Sequence, residues 1–173
     1  ELNIVPDAVI GVVGGGSSFS GLVFPLIEGL RDTTDFIAVE SARVPSFTKG
    51  TYRYENPDLI GLMPKAKMFT LGNDFVPTSL GASGLNYHGK NPLLSLLVHN
   101  NVIKAVAYEP NEVDSVSELF EKTEGIKPAA ESCYAIKGAI EKAREYDGQD
   151  KIVVFSLTGN AHKVNLESKW NTQ

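Results

Sequence analysis

The residues with the clearest capacity for chemistry lie near the start of the 173-residue chain, where Gly14-Gly15-Gly16-Ser17-Ser18 follows the apolar run Ala8-Val9-Ile10-Gly11-Val12-Val13. Glycines between a buried strand and a helix let the backbone turn tightly and aim several N–H groups at one point. The helix N-terminus adds partial positive charge at the same place. This predicts a phosphate cradle; the competing reading is a tight strand-to-helix turn that binds nothing. No Gly-Lys-Ser/Thr follows, so the segment is not a P-loop. It fits the dinucleotide fingerprint poorly, because Phe19 stands where close helix packing needs a small residue. Glu40, at the end of the next strand, could still grip a ribose, which keeps a dinucleotide-binding domain open as an alternative.

Other candidates are weaker taken singly. Thr158 directly follows the last apolar strand and, in a parallel sheet, would lie at the carboxyl edge where open α/β folds bind ligands. Local sequence alone favours an ordinary strand-ending turn there. Glu124-Gly125, followed by Pro128 and then Glu131-Ser132, reads as the end of one helix and the opening of the next. The small-residue stretch 81–89 either lines a pocket or simply turns. His88, His99 and His162 show no metal-ligand spacing with one another or with Cys133, which predicts solvated or capping roles. There is no Gly-x-Ser-x-Gly elbow, and none of the twelve lysines stands out as a Schiff-base former.

The elements that must position these residues alternate. An apolar, β-branched run over 8–13 suits a strand buried on both faces. A helix over 19–30, with Ser17 or Ser18 as N-cap, and a strand over 35–40 complete a βαβ unit whose crossover should be right-handed. Residues 41–83 carry Pro45, Pro57, Pro64 and Pro77 with little periodicity, and are expected to be irregular and functional. Beyond them the pattern predicts a helix over 92–100, a strand over 105–108, helices over 112–122 and 129–146, and a last strand over 151–157. In the 112–122 helix, Val113, Val116, Leu119 and Phe120 share one face. The expectation is an α/β fold, a largely parallel sheet flanked by helices, in one domain over 1–173.

Composition narrows the partners. The chain is 42% hydrophobic and 21% charged with a net charge of −5, which argues against nucleic acid as the main partner. Its single cysteine, Cys133, rules out an intramolecular disulfide and a cysteine-rich zinc site. No apolar run approaches the roughly 20 residues that cross a bilayer. With no signal-peptide pattern, a cytoplasmic setting without membrane contact is expected. A buried strand so close to Glu1, with no initiator methionine, points to a portion of something larger.

Several segments, in order, carry a likeness. Pro6-Asp7-Ala8-Val9-Ile10-Gly11 through Gly14-Gly15-Gly16-Ser17-Ser18 comes first, then Val44-Pro45 with Thr48-Lys49-Gly50, then Phe69-Thr70-Leu71-Gly72-Asn73-Asp74-Phe75-Val76-Pro77. Gly84-Leu85-Asn86-Tyr87-His88-Gly89, Thr123-Glu124-Gly125-Ile126-Lys127-Pro128-Ala129-Ala130-Glu131-Ser132 and Phe155-Ser156-Leu157-Thr158-Gly159 follow. Together they resemble the C-terminal portion of tryptophan synthase β-chains, most closely the second, largely archaeal branch. The resemblance implies a type II fold pyridoxal-phosphate enzyme that joins L-serine to indole by β-replacement. It implies that Gly14, Gly15, Gly16, Ser17 and Ser18 hold the cofactor phosphate, that Glu124 lies beside the ring, and that Thr158, with Gly159, stands where the family's serine meets the pyridine nitrogen. It further implies a homodimer, an α-chain partner held loosely or not at all, and a monovalent cation near Gly84 and Tyr87. The family's Schiff-base lysine lies upstream of the phosphate loop, so this chain alone should be inactive and should need an N-terminal half. The chain departs from the family pattern at Ser18, Gly81, Asn86 and Asn160, which leaves a non-catalytic cofactor-binding module as the alternative.

Overall fold

The computed structural model describes residues 4–77 and 82–160. Strand β1 (Ala8–Val12) is buried throughout, as its continuous apolar run predicts. Helix α1 (Ser17–Leu30) leads to β2 (Asp35–Ser41), a short α2 (Ser46–Lys49), and strands β3 (Thr51–Glu55) and β4 (Ala66–Thr70). Then come α3 (Pro92–His99), β5 (Lys104–Tyr108), α4 (Pro110–Glu124), α5 (Ala130–Glu145) and β6 (Val153–Phe155).

The central sheet has the order β5-β2-β1-β6, and every pairing in it is parallel. Alternate residues of its strands face opposite sides, as the period of two requires. Ala8, Ile10, Val12, Ile37 and Val39 pack with Val113 and Val116 of α4 and with Ala135, Ile136 and Ala139 of α5. Val9, Val13, Phe36 and Ala38 pack on the other face with Phe19 and Val23 of α1 and Leu94 of α3. Helices thus cover both faces, which is why the strands lack the polar alternation of a half-exposed sheet.

Three expectations need correction. Residues 41–83 are not irregular throughout: β3 and β4 form a separate antiparallel pair, with Tyr52 opposite Phe69. Its apolar side is short, built from Tyr52 and Phe69 with the His99 ring stacked 4.4 Å from that of Tyr52, and the strand-favouring Thr51-Tyr52-Arg53-Tyr54 stands in a stretch otherwise punctuated by proline and glycine. Helix α1 is capped by neither serine. Gly16 is its N-cap, with φ of 109°, and a Cβ there would stand 2.8 Å from a methyl of Leu94. Both the left-handed backbone and the close approach of α3 require glycine at this point. Finally, β6 is shorter than the predicted 151–157: among the described residues it pairs with β1 only over Val153–Phe155. Gly81 and His162 lie outside the described residues.

Candidate cofactor site

The parallel register carries Gly14-Gly15-Gly16 off the carboxyl end of β1 into a hollow of about 430 Å³. Its walls are Gly14, Gly15, Gly16, Ser17 and Ser18, facing Gly84, Tyr87 and Asn91 from the segment before α3. Gly14 is required by close approach: a Cβ on it would lie 2.1 Å from the Gly84 carbonyl oxygen. At Gly15 the Tyr87 ring lies 3.6 Å from the Cβ position, so the ring forms a lid over that glycine.

The orientation of the loop amides follows from where its carbonyls go. The buried Lys90 ammonium donates to Gly14 O at 2.9 Å and to Val13 O at 3.4 Å, and the Asn91 amide donates to Gly15 O at 2.7 Å. In a trans peptide the C=O and the next N–H point in opposite directions. Tying three successive carbonyls to 90–91 therefore turns the N–H groups of Gly14, Gly15 and Gly16 away from that segment. The amides of Ser17 and Ser18 are first-turn donors of α1 with no intrahelical partner. Among the described residues none of these N–H groups has an acceptor. A run of free amides beside a helix N-terminus suits a phosphate ester.

The first turn of α5 links this hollow to the last strand. Glu131 accepts from Gly84 N at 3.0 Å, and the buried Ser132 hydroxyl accepts from Thr158 N at 3.2 Å. Ile10 pairs with Phe155, so Thr158 emerges at the same carboxyl edge as the glycine run. Gly159, with φ of 127°, accepts from Ala129 N at 3.1 Å and closes this edge against α5. Asn86 Oδ1 is buried without a donor among the described residues, one position before Tyr87. Glu124 is set apart from the glycine hollow. It ends α4 ahead of Gly125, whose φ of 69° makes it the left-handed cap that sequence predicts, and lines a separate apolar hollow with Leu119, Phe120, Ile136 and Phe155.

Two sequence readings change on contact with the structure. Glu40 cannot reach a ribose: its carboxylate is fully buried and accepts from Phe47 N, Thr48 N and the Thr48 hydroxyl at 2.8–3.0 Å. Its remaining neighbour is Lys90 Nζ at 3.4 Å, which removes the dinucleotide alternative. Lys90, which no pattern singled out, proves to be the cation under the cradle. Its only sequence signal is a lysine between the loop glycine Gly89 and the helix-capping Asn91. Burial pushes its ammonium below the ordinary lysine range, while Glu40 pulls it back.

The histidines behave as structural groups. His88 bridges Thr70 Oγ1 and Pro57 O, each at 3.1 Å, and His99 stacks on Tyr52. Among the described residues no group of His, Cys, Asp or Glu could hold a metal ion. Burial pushes the Cys133 thiol up, which makes it a poor nucleophile near neutral pH. No described helix is long and apolar enough to cross a membrane.

Comparison with known proteins gives relatives in sequence and neighbours in fold. Over 160 residues the chain is 46% identical to "Tryptophan synthase beta chain 2" of Thermococcus kodakarensis, covering 90% of this chain and 36% of that one. Over 164 residues it is 45% identical to the tryptophan synthase beta chain of Thermosipho africanus, covering 92% and 39%. The chain thus spans well under half the length of these relatives. In fold it matches a fungal L-serine ammonia-lyase from Rhizomucor miehei, with a TM-score of 0.66 at 19% identity over 90% of this chain and 46% of that one. It also matches the processed form of threonine deaminase isoform 2 from Solanum lycopersicum, with a TM-score of 0.63 at 15% identity over 95% and 43%. The parallel sheet expected from the type II resemblance is therefore borne out. Residues 1–159 match the family profile described as "Pyridoxal-phosphate dependent enzyme", and by that match over most of its length the chain belongs to this family.

Proposed function

We propose that this chain is the phosphate- and ring-binding portion of a β-replacement enzyme that makes L-tryptophan from L-serine and indole. The observation that carries the reading is the row of unpaired amides from Gly14 to Ser18 around a hollow closed by Gly84, Tyr87 and Asn91. The cofactor, when bound, supplies an electron sink for chemistry at the substrate α- and β-carbons. The loop amides would hold a dianionic phosphate and so fix the ring relative to the sheet edge. Thr158 offers a neutral hydroxyl at that edge, positioned through Ser132, which would leave a pyridine nitrogen it meets uncharged. Glu124 would approach the ring only from the α4 side of the sheet, and Gly159 keeps the strand exit close to α5.

Lys90 is buried beneath the loop and committed to three oxygens, so it is not the amine that would bind the cofactor, and the family resemblance assigns that lysine to a preceding half. The reading therefore includes an N-terminal half supplying that lysine and a homodimer of the complete protein in the cytoplasm. It leaves a stable α-chain partner unnecessary. Adding pyridoxal phosphate to the full chain should give reversible binding in competition with inorganic phosphate, and no tryptophan from serine and indole. Supplying a separately expressed N-terminal half from a 46%-identical relative should restore turnover. Failure to bind either phosphate compound would end this reading. Binding without restorable turnover would favour the non-catalytic module.

A further inference from the structure

The buried cation beneath the hollow has the surroundings of an ion site. Lys90 Nζ faces Gly14 O at 2.9 Å, Val13 O at 3.4 Å and Glu40 Oε2 at 3.4 Å, and both side chains have no exposure at all. An ammonium has three donors, and here there are three oxygens for them. Two main-chain carbonyls and a carboxylate form the kind of all-oxygen set that binds hard cations. Glu40 is held in place independently of the lysine by Phe47 N, Thr48 N and the Thr48 hydroxyl. Removing the ammonium would leave these oxygens converging on an empty, negatively polarised space.

We propose that Lys90 serves as a tethered monovalent cation: its ammonium holds the Val13 and Gly14 carbonyls down so that the following amides face the hollow, and anion binding there needs no free cation. The inference rests on the phosphate-site reading above. Lys90 is a positioning residue, acting through the loop and touching no ligand. The physical reason for a covalently attached cation is entropic, since a tethered ion is present at every salt concentration and cannot be lost by dilution.

The test uses the full chain as wild type, K90A and K90M. Pyridoxal-phosphate affinity and melting temperature are measured in choline, potassium and ammonium chloride at equal ionic strength of about 0.1 M, where screening is the same in each. The wild type should respond equally in all three. K90A should lose affinity by about tenfold or more in choline, in line with loss of a charge-assisted hydrogen bond, and recover most of it in ammonium. K90M, which refills the space without charge, should lose affinity and not recover. A wild type that gains affinity or melting temperature in ammonium or potassium would overturn the proposal, as would a K90A no better in ammonium than in choline. If the wild type binds no phosphate compound, the cofactor reading fails instead, and the melting series decides the cation question alone. Should K90A fail to fold in choline chloride, recovery of the folded state in ammonium supports the proposal and failure in both salts overturns it.

Discussion

Replacing Gly14 with alanine isolates the geometry on which the phosphate site rests. The new methyl carbon would lie 2.1 Å from Gly84 O and 3.2 Å from the Tyr87 ring. Relieving the first contact requires the two segments to part by about 1 Å, given normal carbon–oxygen separations of roughly 3.2 Å or more. Neither side yields easily. Gly84 is held by Glu131 at 3.0 Å, and the loop carbonyls are tied to Lys90 and Asn91. Overpacking of this kind costs about 1–3 kcal/mol. An amide displaced by about 1 Å from a phosphate oxygen passes beyond hydrogen-bond reach. Losing one such charge-assisted bond, at about 1.5–3 kcal/mol, weakens binding roughly 10- to 100-fold. Gly15 provides the contrast, because its Cβ would meet only the Tyr87 ring at an ordinary 3.6 Å. Urea unfolding and pyridoxal-phosphate titration on G14A and G15A should therefore show a clearly lower urea midpoint for G14A alone, together with its loss of affinity. A G14A chain with the midpoint and affinity of wild type would refute the packing of Gly84 against the loop.

The remaining predictions concern the frame around the site. At the amino edge of the sheet, hydrogen bonding from Lys151 holds the Asp7 carboxyl below its usual range; desolvation pushes Asp35 up, but bonds from Lys104 and Lys142 outweigh it and hold it down. Depressed carboxylates stabilise the fold fully above their unfolded pKa of about 3.9 and lose that stabilisation as pH falls through their lowered folded values. The urea midpoint should thus be flat from about pH 7 to 5 and drop below about pH 4, and D35N should lower the unfolding free energy at pH 7 by about 1 kcal/mol and flatten the acid limb. In G138A the new methyl would sit 2.9 Å from Val39 Cγ2, so α5 must lift from the sheet, with a stability loss of about 1–3 kcal/mol in calorimetry. S132A removes the acceptor of the Thr158 amide, so hydrogen exchange at Thr158 should accelerate while affinity for inorganic phosphate at the glycine loop stays within about twofold.

What could be read from sequence is what neighbours along the chain decide. The β-branched run of β1, the glycines that must follow it, the cap at Gly125 and the apolar face of α4 each depend on backbone preference or on a fixed periodicity, and each is where the pattern places it. The family likeness extended this reading from elements to chemistry. What could not be read depends on segments meeting from far apart. Lys90 lies 76 residues from Gly14 in the chain, and only the packing of the segment before α3 onto the glycine loop, with α3 against β4, turns it from one lysine among twelve into the support of the cradle. Glu40 looked available to a ribose because a strand-end carboxylate usually is; burial under α2 reverses that. The β3–β4 pair escaped notice because its buried face is made by partners on other elements. Sequence by itself settled which segments are buried strands and where a phosphate loop could turn. Tertiary structure alone decided which side chains surround that loop and which carboxylate is spent inside, because desolvation and hydrogen-bond pairing are properties of a closed three-dimensional environment that no single stretch of chain contains.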